Sequence, residues 1–196
     1  MFWLVLSVLL WGSLHTLLAS LKAKELFQGR FGTKFMRFYR LAYNAFAGLS
    51  FLPVLAFVVL IKSRKLYVVP LPWSGMMILG EILAVTGLLI GFLQTDAWEF
   101  LGLRQLEGSA GPSLLITDRL YHYVRHPLYT AGLAFIWLFP IMTYNILVMN
   151  VALTFYIFIG VSFEERKLRR EFGKKYIDYA AVTPMLVPFF KGKRHR

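Results

Sequence analysis

The chain has 196 residues, 58% of them hydrophobic and only 16% charged. A soluble domain of that length has no interior large enough for so much apolar surface, so the composition excludes an ordinary soluble protein. Cysteine is absent, which removes disulfides, thiolate metal sites and any enzyme with its own thiol nucleophile. The formal charge of +12 would suit nucleic acid, but in a membrane chain a basic excess follows from topology.

A bilayer core of about 30 Å needs about 20 apolar residues in helix. The first such segment runs from Phe2 to Leu21, uncharged apart from His15. It lacks a basic leading region and a small-residue cleavage site, so it reads as a retained helix. A second runs from Leu41 to Ile61, with a kink expected at Pro53. A third, Trp73 to Leu93, carries one charge, Glu81. The fourth starts at Pro127 and reaches Thr143, a rise of roughly 26 Å that barely crosses the core. "FPIMTYN" turns it into a fifth, Asn145 to Phe163, so the last two spans read as a hairpin.

The expected fold is therefore all-α and integral to the membrane, with about five spans, a C-terminal helical hairpin and then an amphipathic helix in the cytoplasm. Of the 22 Lys and Arg residues, 19 fall in 22–40, 94–126 and 164–196, which five spans put on one face. The positive-inside rule places that face in the cytoplasm and the N-terminus outside. No repeat, low-complexity tract or second domain is visible. Residues 1–196 read as one membrane domain, with 1–110 a three-helix acceptor side and 114–190 the hairpin and C-terminal helix.

The hairpin geometry brings two polar borders together: YHYVRHPLYTAG at 121–132 and SFEERKLRREFGKKYIDYAAVTPMLVP from Ser162. His122 and His126 stand four apart, a zinc-ligand spacing on a helix, but Pro127 disfavours helix at His126 and no third ligand lies near. No metal is expected. A plainer reading makes Arg125 and His122 headgroup anchors and Tyr121, Tyr123 and Tyr129 an interfacial aromatic belt. Pro127 suits the first position of a helix, whose following N–H groups attract a carboxylate or phosphate, with Arg125 adding charge.

Glu164 and Glu165 sit at the membrane exit of the fifth span, where carboxylates face a protein interior, a cavity or a cation. Glu165 also stands four before Arg169, the spacing of a surface ion pair. Leu168, Phe172, Tyr176 and Tyr179 then trace an apolar stripe, interrupted at Gly173 and ended by Pro184 and Pro188. MLVPFF is expected to return to the membrane surface before the basic tail KGKRHR. An anion site beside an acidic pair suits a zwitterion. S-adenosylmethionine is one of many that fit.

LITDRLYHYVRHPLYTAG followed by EERKLRREFGKKYIDYAAVTPMLVP resembles the C-terminal signature of the isoprenylcysteine carboxyl methyltransferase-like superfamily, which includes phospholipid N-methyltransferases. Arg-His-Pro-x-Tyr, a hydrophobic hairpin, Glu-Glu-x-x-Leu, Phe-Gly-x-x-Tyr-x-x-Tyr and a proline occur in order over about 114–188. FLGLRQ at 100–105 and TPMLVP resemble the branch containing methanethiol S-methyltransferase and the denitrification-associated membrane proteins. HTLLAS at 15–20 and YRLAYN at 39–44 match more loosely. One departure is Arg119, where the family often has glycine.

The resemblance implies S-adenosylmethionine at the cytoplasmic mouth of the hairpin. Tyr121, His126, Pro127 and Tyr129 would line its pocket, and Glu164 and Glu165 would hold its cationic part. The doubly wound sheet and glycine-rich turn of soluble methyltransferases are not visible in the sequence. His126 and Glu165 are candidate bases, Arg125 or Arg104 could steer an anionic acceptor, and His15, Asn44 and Glu81 either line an acceptor cavity or bridge helices. A small or lipophilic acceptor, most simply a thiol, is expected; an isoprenylcysteine carboxylate or a phospholipid amine is the alternative. A non-catalytic regulator or assembly factor is the rival from another class. The lack of targeting signals favours a prokaryotic plasma membrane.

Overall fold

The computed structural model describes residues 2–108 and 114–188. Nine helices and two short strands follow one another among them: α1 (Phe2–Ala19), α2 (Leu21–Leu60), β1 (Lys65–Val68), α3 (Trp73–Gln94), α4 (Ala97–Leu101), α5 (Leu103–Glu107), α6 (Leu120–Tyr123), α7 (Pro127–Trp137), β2 (Ile141–Thr143), α8 (Tyr144–Phe172) and α9 (Lys174–Val182). Helices α1, α2, α3 and α8 are each long and apolar enough to cross a bilayer. Their large side chains, Leu60, Leu83 and Phe155 among them, remain exposed, as a lipid solvent requires. The protein is an all-α, multi-pass membrane protein.

Several boundaries differ from the sequence-based expectation. The segment expected as a fourth span forms an 11-residue helix, α7, which would rise only about 16 Å. Pro140 and the strand β2 take up the rest. Helix α2 begins twenty residues before the expected span, and its backbone leaves helical dihedrals at Gly32 (φ 77°, ψ 174°), while Pro53 lies inside continuous helix. Glycine tolerates that dihedral pair without a Cβ clash, and the apolar pattern of the span gave no hint of it. Helix α8 continues past the expected exit and carries Glu164 and Glu165 on its own backbone. Of MLVPFF and KGKRHR, everything from Phe189 onward lies outside the described residues.

The chain divides into two compact units. The first contains the described residues of 1–66 and 96–112, with 143–152. Its core is Leu4, Val8 and Val54, packed on by Trp11, Phe51, Val148 and Ala152. The α2 C-terminus presents carbonyls with no intrahelical partner, and the buried Asn145 amide donates to two of them, Ile61 at 2.8 Å and Val58 at 3.4 Å. Asp96 caps α4 by accepting from the Glu99 N–H at 3.0 Å. That bond, with the Arg104 guanidinium, holds its carboxyl below the usual range. Its stabilising effect is therefore full above the unfolded value and is lost as pH falls through the lowered folded value.

Gly102 joins α4 to α5 at φ 92°. A Cβ there would sit 2.7 Å from the Leu41 backbone nitrogen, so α2 packs on bare backbone at the centre of FLGLRQ.

The second unit contains 67–95, the described residues of 113–142, and those from Leu153 onward. Gly80, Gly87 and Gly91 share one face of α3, and α7 packs along it. Added methyl groups would meet Leu138 at 2.7 Å, Ala131 at 3.5 Å and Leu128 at 3.0 Å. Small residues let helices in lipid approach closely enough for dispersion to hold them. Gln94, at the end of α3, accepts from the Leu120 N–H at 3.3 Å, so the same helix fixes where α6 begins.

Gly102→Ala combines a forbidden dihedral with a backbone collision. It is expected to cost the first unit about 2 kcal/mol or more, read as a lower melting temperature in detergent.

Candidate functional site

The site belongs wholly to the second unit. Helix α6 ends at Tyr123, Val124 is extended, and His126 takes φ −127°, ψ 66° ahead of Pro127, the first residue of α7. This is the break that a residue before proline favours. No side chain caps α7 at His126, so its first N–H groups meet no capping side chain.

The break is tied to the C-terminal segment. The Arg125 N–H donates to the Pro184 carbonyl at 2.9 Å and the His126 N–H to that of Met185 at 3.2 Å. Thr130 Oγ1 donates to Leu186 O at 2.6 Å, and the Tyr179 hydroxyl donates to Tyr121 O. Arg125 Nη1 reaches the carbonyls of Ala180 at 3.2 Å and Thr183 at 2.5 Å. Residues 121–130 and 176–186 are in effect one structure.

At its centre lies a single carboxylate oxygen, Glu165 Oε1. It accepts from Arg125 Nε at 2.8 Å and from the Tyr176 hydroxyl at 2.6 Å, and His126 Nε2 lies 2.9 Å away. Arg169 Nη2 stands 3.6 Å from the other oxygen, the ion pair expected from the spacing. The carboxylate is not on a surface, however: only 10% of its side chain is exposed. Burial works against the Arg125 charge, but the bond and charge of Glu165 outweigh it and raise its pKa. Burial, then the bond to Glu165, pushes the Tyr176 phenol upward, so it remains a donor.

Glu164 differs from its neighbour. Its side chain is 41% exposed, and its carboxylate stands 3.9 Å from His126 Nδ1. Burial and then the charge of Glu164 push Tyr121 up to about 12. The Tyr129 ring lies 5.8 Å from the imidazole.

The two polar borders thus meet, with His126 against both glutamates. Two expectations change. Arg125 does not reach outward to headgroups; its side chain is nine-tenths buried and spends its donors on Glu165 and two carbonyls. Glu165 is buried and its Oε1 is taken up by protein partners, so Glu164 is the accessible member of the pair.

His122 stays in α6 beside Tyr123, and among the described residues no group of three His, Asp or Glu could hold a metal. His15, Asn44 and Arg104 lie in the first unit. The Tyr43 hydroxyl is 2.7 Å from His15 Nε2. Asn44 donates to the Phe100 carbonyl at 2.9 Å, and Arg104 pairs with Asp96 at 2.6 Å. Sequence reasoning missed Tyr176 and Tyr179 as hydroxyl donors. Their signal was present, since a tyrosine on a buried stripe needs a hydrogen-bond partner.

Comparison with known proteins gives a consistent relationship. A methanethiol S-methyltransferase of Crocosphaera subtropica is 36% identical over 111 residues, 54% of this chain and 43% of that protein. Methanethiol S-methyltransferase 2 of Bradyrhizobium diazoefficiens is 41% identical over 117 residues, 55% and 45% of the two chains. One from Pseudomonas deceptionensis is 36% identical over 121 residues, 59% and 43%. The chain is related to the methanethiol S-methyltransferases. It spans less than half the length of these curated relatives. No family model and no solved structure matches it.

Arg119, the departure noted in the sequence, stands at φ 52°, ψ −120° as it opens α6. Gly173 opens α9 at nearly the same angles, φ 54°, ψ −128°. The turn suits glycine in both places, and Arg119 holds it under strain.

Arg119→Gly is expected to stabilise the protein by about 1 kcal/mol, seen as a higher melting temperature in detergent. Tyr176→Phe keeps the shape but removes one donor from a buried carboxylate. It should cost about 2 kcal/mol in the same measurement.

Proposed function

We propose that this protein is an S-adenosylmethionine-dependent membrane methyltransferase whose acceptor is a small thiol. The observation that carries the reading is the half-exposed carboxylate of Glu164 set 3.9 Å from His126 at the uncapped start of α7. The relationship to methanethiol S-methyltransferases supports both the reaction and the acceptor class.

The residues fit the donor's charge pattern. S-adenosylmethionine offers an α-carboxylate, an α-ammonium and a sulfonium, and supplies a methyl group on a carbon that already bears a good leaving group. Glu164 takes the cationic part, while the N–H groups at the start of α7 take the carboxylate. Tyr121, Pro127 and Tyr129 shape the wall, and Tyr121, neutral at working pH, donates rather than repels. Glu165, Arg125 and Tyr176 hold His126 and the α7 start in place. Methyl transfer is an in-line displacement, so alignment of donor and thiol supplies much of the acceleration. When a thiolate meets a sulfonium the reacting charges cancel, and a low-dielectric surrounding favours that change.

The distribution of Lys and Arg supports an N-terminus outside and a donor mouth in the cytoplasm, in a prokaryotic plasma membrane. The polar donor then enters from water, while an apolar thiol reaches the protein through the bilayer.

The test is transfer of a labelled methyl group from S-adenosylmethionine to methanethiol by protein reconstituted in lipid, with donor binding measured by calorimetry. Wild type is expected to bind and transfer. Glu164→Gln should weaken donor binding by about tenfold to a hundredfold, the loss of one charge-assisted contact, while leaving the melting temperature unchanged. Folded wild type that shows no donor binding ends the proposal.

A further inference from the structure

Resting on that reading, we infer that His126 is the base that receives the thiol proton, at Nδ1, and that Glu165, Arg125 and Tyr176 are positioning residues that fix the ring for it. The geometry carries the assignment. Glu165 Oε1 already accepts from Arg125 and Tyr176, and His126 Nε2 is 2.9 Å away. An ionised carboxylate offers acceptors only, so the ring must turn an N–H toward it. In the neutral ring the proton then sits at Nε2, and Nδ1 is left with the lone pair.

Nδ1 faces Glu164, 3.9 Å from Oε2, while only 3% of the imidazole side chain is exposed. The basic nitrogen therefore points to the side where the half-exposed carboxylate opens the site. A carboxylate that fixes one imidazole nitrogen so that the other accepts a proton is a general arrangement for activating a nucleophile. Here two further donors fix the carboxylate itself.

A thiol needs such a group because the thiolate is the nucleophile, and an unperturbed thiol ionises only above neutrality, at about 8.5 for cysteine. In the step, the S–H proton moves to Nδ1 and the freed sulfur pair forms the new S–C bond. The methyl carbon's bond to the sulfonium breaks, and its electron pair remains on the departing sulfur as a neutral thioether. The resulting imidazolium lies between Glu165 and Glu164 and returns its proton to water past the latter. The groups that set its behaviour are Glu164 and Glu165 on α8, Arg169 behind Glu165, Arg125 beside it, Tyr121 and Tyr129 along the wall, and Tyr176 from α9.

Two measurements test this. In wild type labelled with 15N-histidine, NMR is expected to show His126 as the Nε2–H form when neutral; an Nδ1–H form overturns the assignment, and this arm needs no variant. The second compares methyl transfer to an alkanethiol with transfer to an aryl thiol that is already ionised at neutral pH. His126→Asn should slow the alkanethiol about thirtyfold or more beyond whatever it costs the aryl thiolate at pH 7, since only the alkanethiol needs the base. The alkanethiol deficit should shrink about tenfold per pH unit as that thiol's own ionisation is approached. Equal loss on both thiols, or none on either, overturns the base. Wild type that methylates neither thiol overturns both this inference and the function it rests on.

Discussion

One buried oxygen holds the site together. Glu165 Oε1 gathers a guanidinium and an imidazole from the adjacent Arg125 and His126 and a phenol from Tyr176, so that two stretches of chain meet on α8. Removing a carboxylate and a guanidinium from water is expensive, and the cost is met only when every partner is placed and satisfied. Arg125 adds to this by donating from Nη1 to the Ala180 and Thr183 carbonyls. The charge pair therefore dictates where the C-terminal helix lies. It also explains why two adjacent glutamates have different work: successive residues on a helix point about 100° apart, so one faces the interior and the other the opening.

The backbone shows a comparable division. Arg119 and Gly173 open short helices through the same turn, α6 before the signature and α9 after it. The turn is set by geometry, and glycine meets it without strain. Strain at Arg119 is borne because the two residues that follow it are held, the Leu120 N–H by the Gln94 side chain and the Tyr121 carbonyl by the Tyr179 hydroxyl.

Much of this was legible in sequence. Apolar length located α1, α3 and α8, because a bilayer imposes one dimension on any segment that crosses it. The break at His126 followed from Pro127, and Arg-His-Pro does approach Glu-Glu, although α7 is shorter than the span from which that approach was expected. What hydropathy could not show was that α7 stops at Trp137, since the segment stays apolar through Phe139 whether or not it is helical. The inward turn of Arg125 was also hidden. An arginine at a membrane border reads as a headgroup anchor until the carbonyls that receive it are known. Asn145 as a helix-end partner and Gly102 as a packing floor depended likewise on residues more than fifty positions away.

The order of these attachments has a bearing on biogenesis. The amides of Arg125 and His126 are received by the carbonyls of Pro184 and Met185, and Thr130 by that of Leu186. A nascent chain can insert α1 through α8 and still have no finished mouth. Only when the ribosome has let residue 186 emerge can the opening set, so membrane integration and acquisition of the site are separate events in the life of the polypeptide.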